Sequence, residues 1–264
     1  MIQRPPLSYK TSRGFTLMEI LVVVAIILVL AAIALPVVSS VKMRANKANA
    51  MSNMRQLGAG FLTYASQNDG TLPSEDSKGT DTWSNAAKPE NQKAWYNCVP
   101  QLLGSKGVGD FANNPRDYYT KANLLFLPGA TYPDNEKRLV APLFAIAVNT
   151  KIHRKDDEGK KNPVKLSQIT VPSRTVLFLE QGIRGEEKAS VTQPKYDGTC
   201  KGSAKSFVTR YGGQGVLTFL DGHAETFEIT DLLTETGKII YNGPGQPGSV
   251  IWCRTPEEDP NKGS

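Results

Sequence analysis

The side chain in the most unusual setting is Glu19, a carboxylate at the head of 19 consecutive residues, 20–38, none with a polar side chain. Placing a carboxylate there costs a few kcal/mol on insertion into hydrocarbon, so an acid in such a place points to a function. A second group of ligand-type side chains is Asp221, His223 and Glu225, where simple alternation along a strand would put all three on one face, as in a metal site. If Asp221-Gly222 is instead a two-residue turn, Leu220 pairs with His223, Thr218 with Glu225 and Val216 with Phe227. Asp221 then leaves the strand face and the trio dissolves, which is the expected arrangement. The other histidine, His153, adjoins a mixed-charge loop at 154–161. Cys98, Cys200 and Cys253 permit one disulfide outside the cytoplasm and leave one thiol over, with the pairing open. HExxH, a phosphate-binding Gly-Lys-Ser/Thr loop, a GxSxG elbow and CxxC are all missing, so no catalytic residue and no enzymatic activity are expected.

The element that must carry Glu19 is a membrane span. Residues 20–38 with 15–17 added, at about 1.5 Å per residue, cross a hydrocarbon core of about 30 Å. The formal net charge of +6 is distributed to match. Residues 1–14 carry +3 (Arg4, Lys10, Arg13), residues 15–36 carry −1 (Glu19), residues 37–66 carry +4 (Lys42, Arg44, Lys47, Arg55), and residues 67–264 hold 24 bases and 24 acids. The basic excess therefore flanks the span, where it orients a membrane segment and gives no case for a nucleic-acid partner. With 39% hydrophobic and 21% charged residues, the remainder is neither a disordered polyelectrolyte nor a polytopic membrane protein.

A secretory signal peptide cut after Ala32-Ile33-Ala34 and a plain signal anchor both accommodate the apolar run, but neither accounts for Glu19. The run Arg13-Gly14-Phe15-Thr16-Leu17-Met18-Glu19-Ile20 resembles the class III signal of type IV pilins and type II secretion pseudopilins. It has a short basic leader, Gly before the cut, a Phe-Thr-Leu start and Glu at the fifth mature position, and Pro36 matches a proline common in this family's N-terminal helix. The resemblance implies cleavage between Gly14 and Phe15 by a prepilin peptidase and N-methylation of the new Phe15 amine. Lys10 and Arg13 would hold the leader in the cytoplasm, leaving a single-pass inner-membrane protein with an extracytoplasmic head. The amine of one subunit would neutralise Glu19 of its neighbour in a homo- or hetero-filament built on an inner-membrane assembly platform with other pilin or pseudopilin subunits.

Beyond the span, apolar residues recur in steps of three or four at Val37, Val41, Ala45, Ala48, Met51, Met54, Leu57, Phe61 and Ala65. This predicts one helix over residues 15–66, amphipathic from 39 onward, with Lys42, Asn46, Lys47, Asn49, Asn53 and Gln56 on its wet face and a hinge or inert kink at Pro36. The turn at 67–73 ends it, with Gly70 as a left-handed cap, and resembles the helix exit of major-type pseudopilins.

The head, 67–264, divides into a long variable connection at 70–139, a sheet at 140–230 and a tail at 231–264. The connection contains a helical piece at 95–103 and local packing around Trp83, Trp95 and Tyr96. Strands are predicted at 143–148, 175–180, 206–210, 216–220 and 224–229. A sheet laid on the helix gives an α+β fold with an antiparallel sheet. Residues 211–223 resemble a second signature of pseudopilin-like proteins, a histidine ahead of an Asp-Gly-His turn, with Tyr211 where the histidine would stand. The same family implies calcium as the one possible cofactor, with Asp197 and Asp221 as candidate ligands.

The expected function is that of a pseudopilin-like structural subunit of a type II secretion-like system. The alternatives are a type IV pilus subunit for adhesion, motility or DNA uptake, and a tethered binding or enzymatic domain that borrows the signal. Glu19→Ala should enter the membrane normally yet abolish filament incorporation, as read by membrane fractionation and recovery of sheared filaments.

Overall fold

A computed structural model describes residues 14–75, 80–153, 163–194, 196–241 and 250–262, without the side chains of Asn135 and Lys137. It forms two compact units, Met1–Lys42 and Met43–Ser264.

The described part of the first unit belongs almost entirely to helix α1, Leu17–Gln67, which is long and apolar enough to cross a membrane. Its apolar side chains through Val41 are exposed, apart from a half-buried Ala31. Pro36 lies inside the helix without ending it. Just beyond, the Ser39 and Ser40 hydroxyls donate to the carbonyls of Pro36 and Val37 at 2.8 and 3.0 Å, so both are satisfied within the helix itself.

In the second unit, α1 buries Ala50, Met54, Leu57, Gly58, Gly60, Phe61 and Ala65. The anticipated stripe is therefore buried only from its second half: Val37, Val41, Ala45 and Ala48 are exposed. Two residues assigned to the wet face are engaged instead, with Lys47 Nζ donating to Gln214 Oε1 at 2.9 Å and Asn53 Nδ2 to the Phe126 carbonyl at 3.4 Å. The head reaches around more of the helix than one apolar stripe. The helix ends in a Schellman arrangement: the Gly70 N–H donates to the Ala65 carbonyl at 2.8 Å. Asp69, at φ 52°, takes the left-handed position expected of Gly70, which itself follows at φ 75°.

Five strands form one sheet in the order β3-β1-β2-β4-β5: β1 Ile146–Asn149, β2 Val176–Glu180, β3 Lys201–Gly202, β4 Gln214–Phe219 and β5 Ala224–Glu228. The fold is α+β, as expected, but the sheet is mixed, because β3 runs parallel to β1 while the other pairs are antiparallel. The strand predicted at 206–210 does not form. A short helical turn, Ala204–Ser206, leads into extended chain that makes only an isolated bridge between Phe207 and Gln181, and the edge position goes to the two-residue β3.

The hairpin after β4 also differs. Thr218 pairs with Ala224 and Leu217 with Glu225, one residue away from the predicted register. The Phe219 N–H donates to the His223 carbonyl, so three residues turn the chain, with Gly222 at φ 91°. This is the longer turn that also needs a left-handed glycine, and a one-residue shift exchanges the faces of the strand.

Both faces of the sheet are covered. On one, Phe61 of α1 meets Phe178 edge-on at 5.6 Å, and a Cβ built on Gly58 would lie 3.1 Å from Thr218 Cγ2, so glycine sets how closely helix and sheet approach. The region read as a variable connection joins this core. Trp95, at the start of α3 (Trp95–Leu102), packs on Phe178 at 4.9 Å, and Trp83, in the short α2 (Trp83–Ala86), packs on Tyr118 at 5.3 Å. A further short helix, α4 (Asn135–Val140), precedes β1, and its Arg138 carbonyl accepts from Trp83 Nε1.

The tail covers the second face, with Leu232, Leu233, Ile239, Val250 and Trp252 buried against Val176, Leu179, Leu217 and Phe219. Ile251 bridges Thr175 in parallel, and Asn149 Nδ2 donates to the carbonyls of both Val176 and Trp252. Phe61→Ala should cost the head about 3–4 kcal/mol, measured by denaturant unfolding of the full chain in detergent, because it opens a cavity where helix meets sheet.

Candidate functional site

At the N-terminal end, Gly14 lies in open space, with no atom within 4 Å of a built Cβ, and Phe15 is exposed. Residues 14–16 are not helical. Thr16 is the residue on which α1 starts: its Oγ1 accepts from the Glu19 N–H at 3.2 Å, while its own N–H and hydroxyl donate to Glu19 Oε2 at 2.8 and 2.9 Å. This reciprocal capping box satisfies two of the otherwise unpaired N–H groups of the helix end and fixes where the helix begins. Its pattern, Thr-x-x-Glu, was legible in residues 16–19, and it explains why the helix starts at Leu17 and not at Phe15. Lys10 and Arg13, expected to orient the leader, lie outside the described residues.

Residues 9–35, which span the basic flank, the Gly14-Phe15 step, Glu19 and most of the apolar run, match the family model described as the prokaryotic N-terminal methylation motif. This is the type IV pilin and pseudopilin signal. The match does not extend to residues 211–223. No curated protein and no solved structure matches the chain. The pilin-type signal suggests a membrane-anchored, single-pass protein, with processing by a prepilin peptidase and assembly with other pilins.

In the head, the ligand-type side chains are placed differently from expectation. Asp221 does not leave its neighbours: Asp221 Oδ1 is hydrogen-bonded to His223 Nδ1, and Glu225 Oε1 lies 3.6 Å from Nε2. The imidazole stacks on Phe219, 4.4 Å away and within 6° of parallel. The altered register brings this about, because it puts His223 and Glu225 on the face of Phe219 and Leu217. The two carboxylates approach opposite ring nitrogens and so do not converge on one point. Asp197 Oδ1 accepts from Gln181 Nε2 at 3.0 Å and from the N–H and hydroxyl of Thr199 at 3.1 and 3.2 Å. Among the described residues, no group of three His, Cys, Asp or Glu side chains converges to hold a metal ion. Cys98 is a free thiol that burial pushes up to about 12, which keeps it protonated and unreactive. Cys200 is buried with its Sγ 3.4 Å from the Glu75 carbonyl oxygen.

The head's main polar centre was not foreseen. Arg210, Glu180 and Glu186 are buried together. Arg210 Nη1 donates to Glu180 Oε1 at 3.2 Å, and its Nε and Nη2 donate to the two oxygens of Glu186 at 3.0 and 2.6 Å. Nη2 also donates to the Gln181 carbonyl. Tyr211, which stands where a histidine was expected, donates its hydroxyl to Glu180 Oε1 at 2.9 Å, and the Val216 N–H donates to Oε2 at 2.8 Å. Glu186 accepts in addition from the N–H groups of Thr131 and Ile183.

Burial pushes the Glu180 carboxyl above its ordinary range, against the pull of Arg210 and these hydrogen bonds. Burial also opposes the Arg210 charge, but the two carboxylates outweigh it and hold the guanidinium more firmly protonated than usual. A network so fully satisfied acts as a clamp on three loops. No short-range pattern points to it, because its members are separated in sequence and read singly as solvated charges.

His153 is buried, and among the described residues its Nε2 has no hydrogen-bond partner. Burial, with Arg254 adding to it, lowers its pKa to about 4. The unfolded chain therefore binds the extra proton between its ordinary value of about 6.5 and about 4, so stability from this residue is present above pH 6.5 and drains away as pH falls through that window. Unfolding of the full chain in detergent between pH 7.5 and 4 should show a loss of about 3 kcal/mol that is missing from His153→Gln.

Proposed function

We propose that this chain is a pseudopilin-like subunit: made as a membrane precursor, cut between Gly14 and Phe15, methylated on the new amine and drawn into a periplasmic filament that helps move secreted cargo. The observation that carries this reading is the pilin-type signal, set on an exposed apolar helix whose one acid within residues 15–36 is Glu19. A carboxylate among apolar surroundings gains most from a cation that arrives with the next subunit, and a processed Phe15 supplies one. The pair specifies axial offset between subunits as well as neutralising charge, in the way that a buried polar residue fixes register in a coiled coil.

The head supports a mechanical role. Its sheet is buried on both faces, and its largest polar cluster, Glu180, Arg210 and Glu186, is spent on internal bonds. The helix exit through Asp69 and Gly70 favours the secretion-type subunit over a pilus subunit, because it is the segment that resembles major-type pseudopilins.

Mass spectrometry of the mature N-terminus should find N-methylated Phe15. An N-terminus at Leu35, or an uncut leader, overturns the proposal. Deleting the gene should block release of secreted proteins while leaving surface pili intact, and the opposite result assigns the subunit to a pilus.

A further inference from the structure

Beyond its apolar run α1 carries the cations Lys42, Arg44, Lys47 and Arg55, and from Ile20 to Gln67 it carries no acid. The head takes up the last two. Lys47 Nζ donates to Gln214 Oε1 at 2.9 Å, and Arg55 Nη2 donates to the Ala224 carbonyl at 3.3 Å. Lys42 and Arg44 are exposed, and among the described residues neither side chain has a hydrogen bond or ion pair. These two are also the nearest to the apolar run: at about 1.5 Å of rise per residue they stand about 6 and 9 Å beyond Val38, where that run ends. A bilayer adds roughly 5–8 Å of headgroup region on each side of its hydrocarbon core, so both long side chains reach the depth of the lipid phosphates. Lys47 and Arg55, at about 14 and 26 Å, lie past it.

Two residues along a helix turn by about 200°, so Lys42 and Arg44 stand on opposite sides of α1. A folded protein partner approaches a helix from one side, whereas lipid surrounds it, and headgroups meet both cations at once with no shape to fit. The polar side chains between the run and Lys42 do not compete, because the Ser39 and Ser40 hydroxyls donate to the carbonyls of Pro36 and Val37. We propose that Lys42 and Arg44 form a collar that binds the phosphates of anionic phospholipids, each cation taking its own lipid. The inference rests on the membrane anchoring of α1 in the reading above, and on neither cleavage nor assembly. The lysine meets a phosphate as a point charge and the arginine as a two-pronged donor, and their aliphatic stems suit the apolar surroundings of the exposed Val41 and Met43. With no acid on the helix to offset them, each cation prefers an anionic headgroup to a zwitterionic one by about fivefold at low salt, and salt weakens that preference.

The full chain is placed in nanodiscs of equal parts phosphatidylglycerol and phosphatidylcholine, and the lipids it retains on release are counted by native mass spectrometry. Lys42→Gln/Arg44→Gln should retain about two fewer phosphatidylglycerol molecules per chain than the wild type, while Lys47→Gln/Arg55→Gln retains as many as the wild type. The basic leader contributes equally to all three samples, and a wash in about 0.5 M salt should erase the difference between them. Since Lys42 and Arg44 bond to nothing in the head, near-ultraviolet circular dichroism of their double variant should match the wild type. Equal retention in the wild type and Lys42→Gln/Arg44→Gln overturns the inference, as does an equal loss in Lys47→Gln/Arg55→Gln, which would make the effect one of net charge. Unchanged retention together with loss of Lys42→Gln/Arg44→Gln from complexes with other subunits also overturns it, and assigns the cations to an acidic protein surface. A wild-type chain that washes off membranes in alkaline carbonate overturns the anchoring itself, and fractionation reports this separately from any lipid preference.

Discussion

The head is organised around the contact between the small-residue face of α1 and the middle of the sheet. Gly58 brings the helix close to Thr218, and Phe61 then reaches Phe178. Once that distance is set, the strands have one face occupied by a helix and a second face, lined by Val176, Leu179, Leu217 and Phe219, that is equally apolar. A sheet buried on both sides needs cover beyond what a single helix supplies. Residues 80–140 wrap the helix side with Trp83, Trp95 and Tyr118, and Leu232, Leu233, Ile239, Val250 and Trp252 seal the far side. These two stretches meet that demand.

The same reasoning separates what was legible in the sequence from what was not. The helix was readable over most of its length because the three-to-four spacing of Met54, Leu57, Phe61 and Ala65 has no other explanation, and β2, β4 and β5 were readable as apolar or alternating runs. β3 was invisible, since Lys201-Gly202 carries no pattern and owes its place to β1. Residues 206–210 look like a strand by composition, yet Phe207 and the Val208 carbonyl press directly on Gly215 of β4. The hairpin register was misjudged because Asp-Gly suits both a two-residue turn and a three-residue turn with glycine in the left-handed position, and only packing on Phe219 decides between them.

The candidate site divides along a similar line. Gly14, Phe15 and Glu19 stood out because a charge in an apolar run is conspicuous, and the family match falls on the same residues. Thr16 is equally visible as half of a Thr-x-x-Glu box, a local signal that marks a helix start. The Glu180, Arg210 and Glu186 cluster could not be read at all: its partners come from β2, the loop after it and the approach to β4, and only the fold brings them together.

The seal over the second face has a consequence for how the protein is made. Strands β1 to β5 are complete by Glu228, but the groups that close the sheet, Leu232, Ile239, Val250 and Trp252, are synthesised after them, and Trp252 also supplies a carbonyl to Asn149 of the first strand. During vectorial emergence from the ribosome, the head therefore carries an uncovered apolar surface until residue 252 arrives. Its closure is a late, long-range event that joins the beginning of the sheet to residues 250–252, and the interval before it leaves that apolar face open to aggregation and proteolysis.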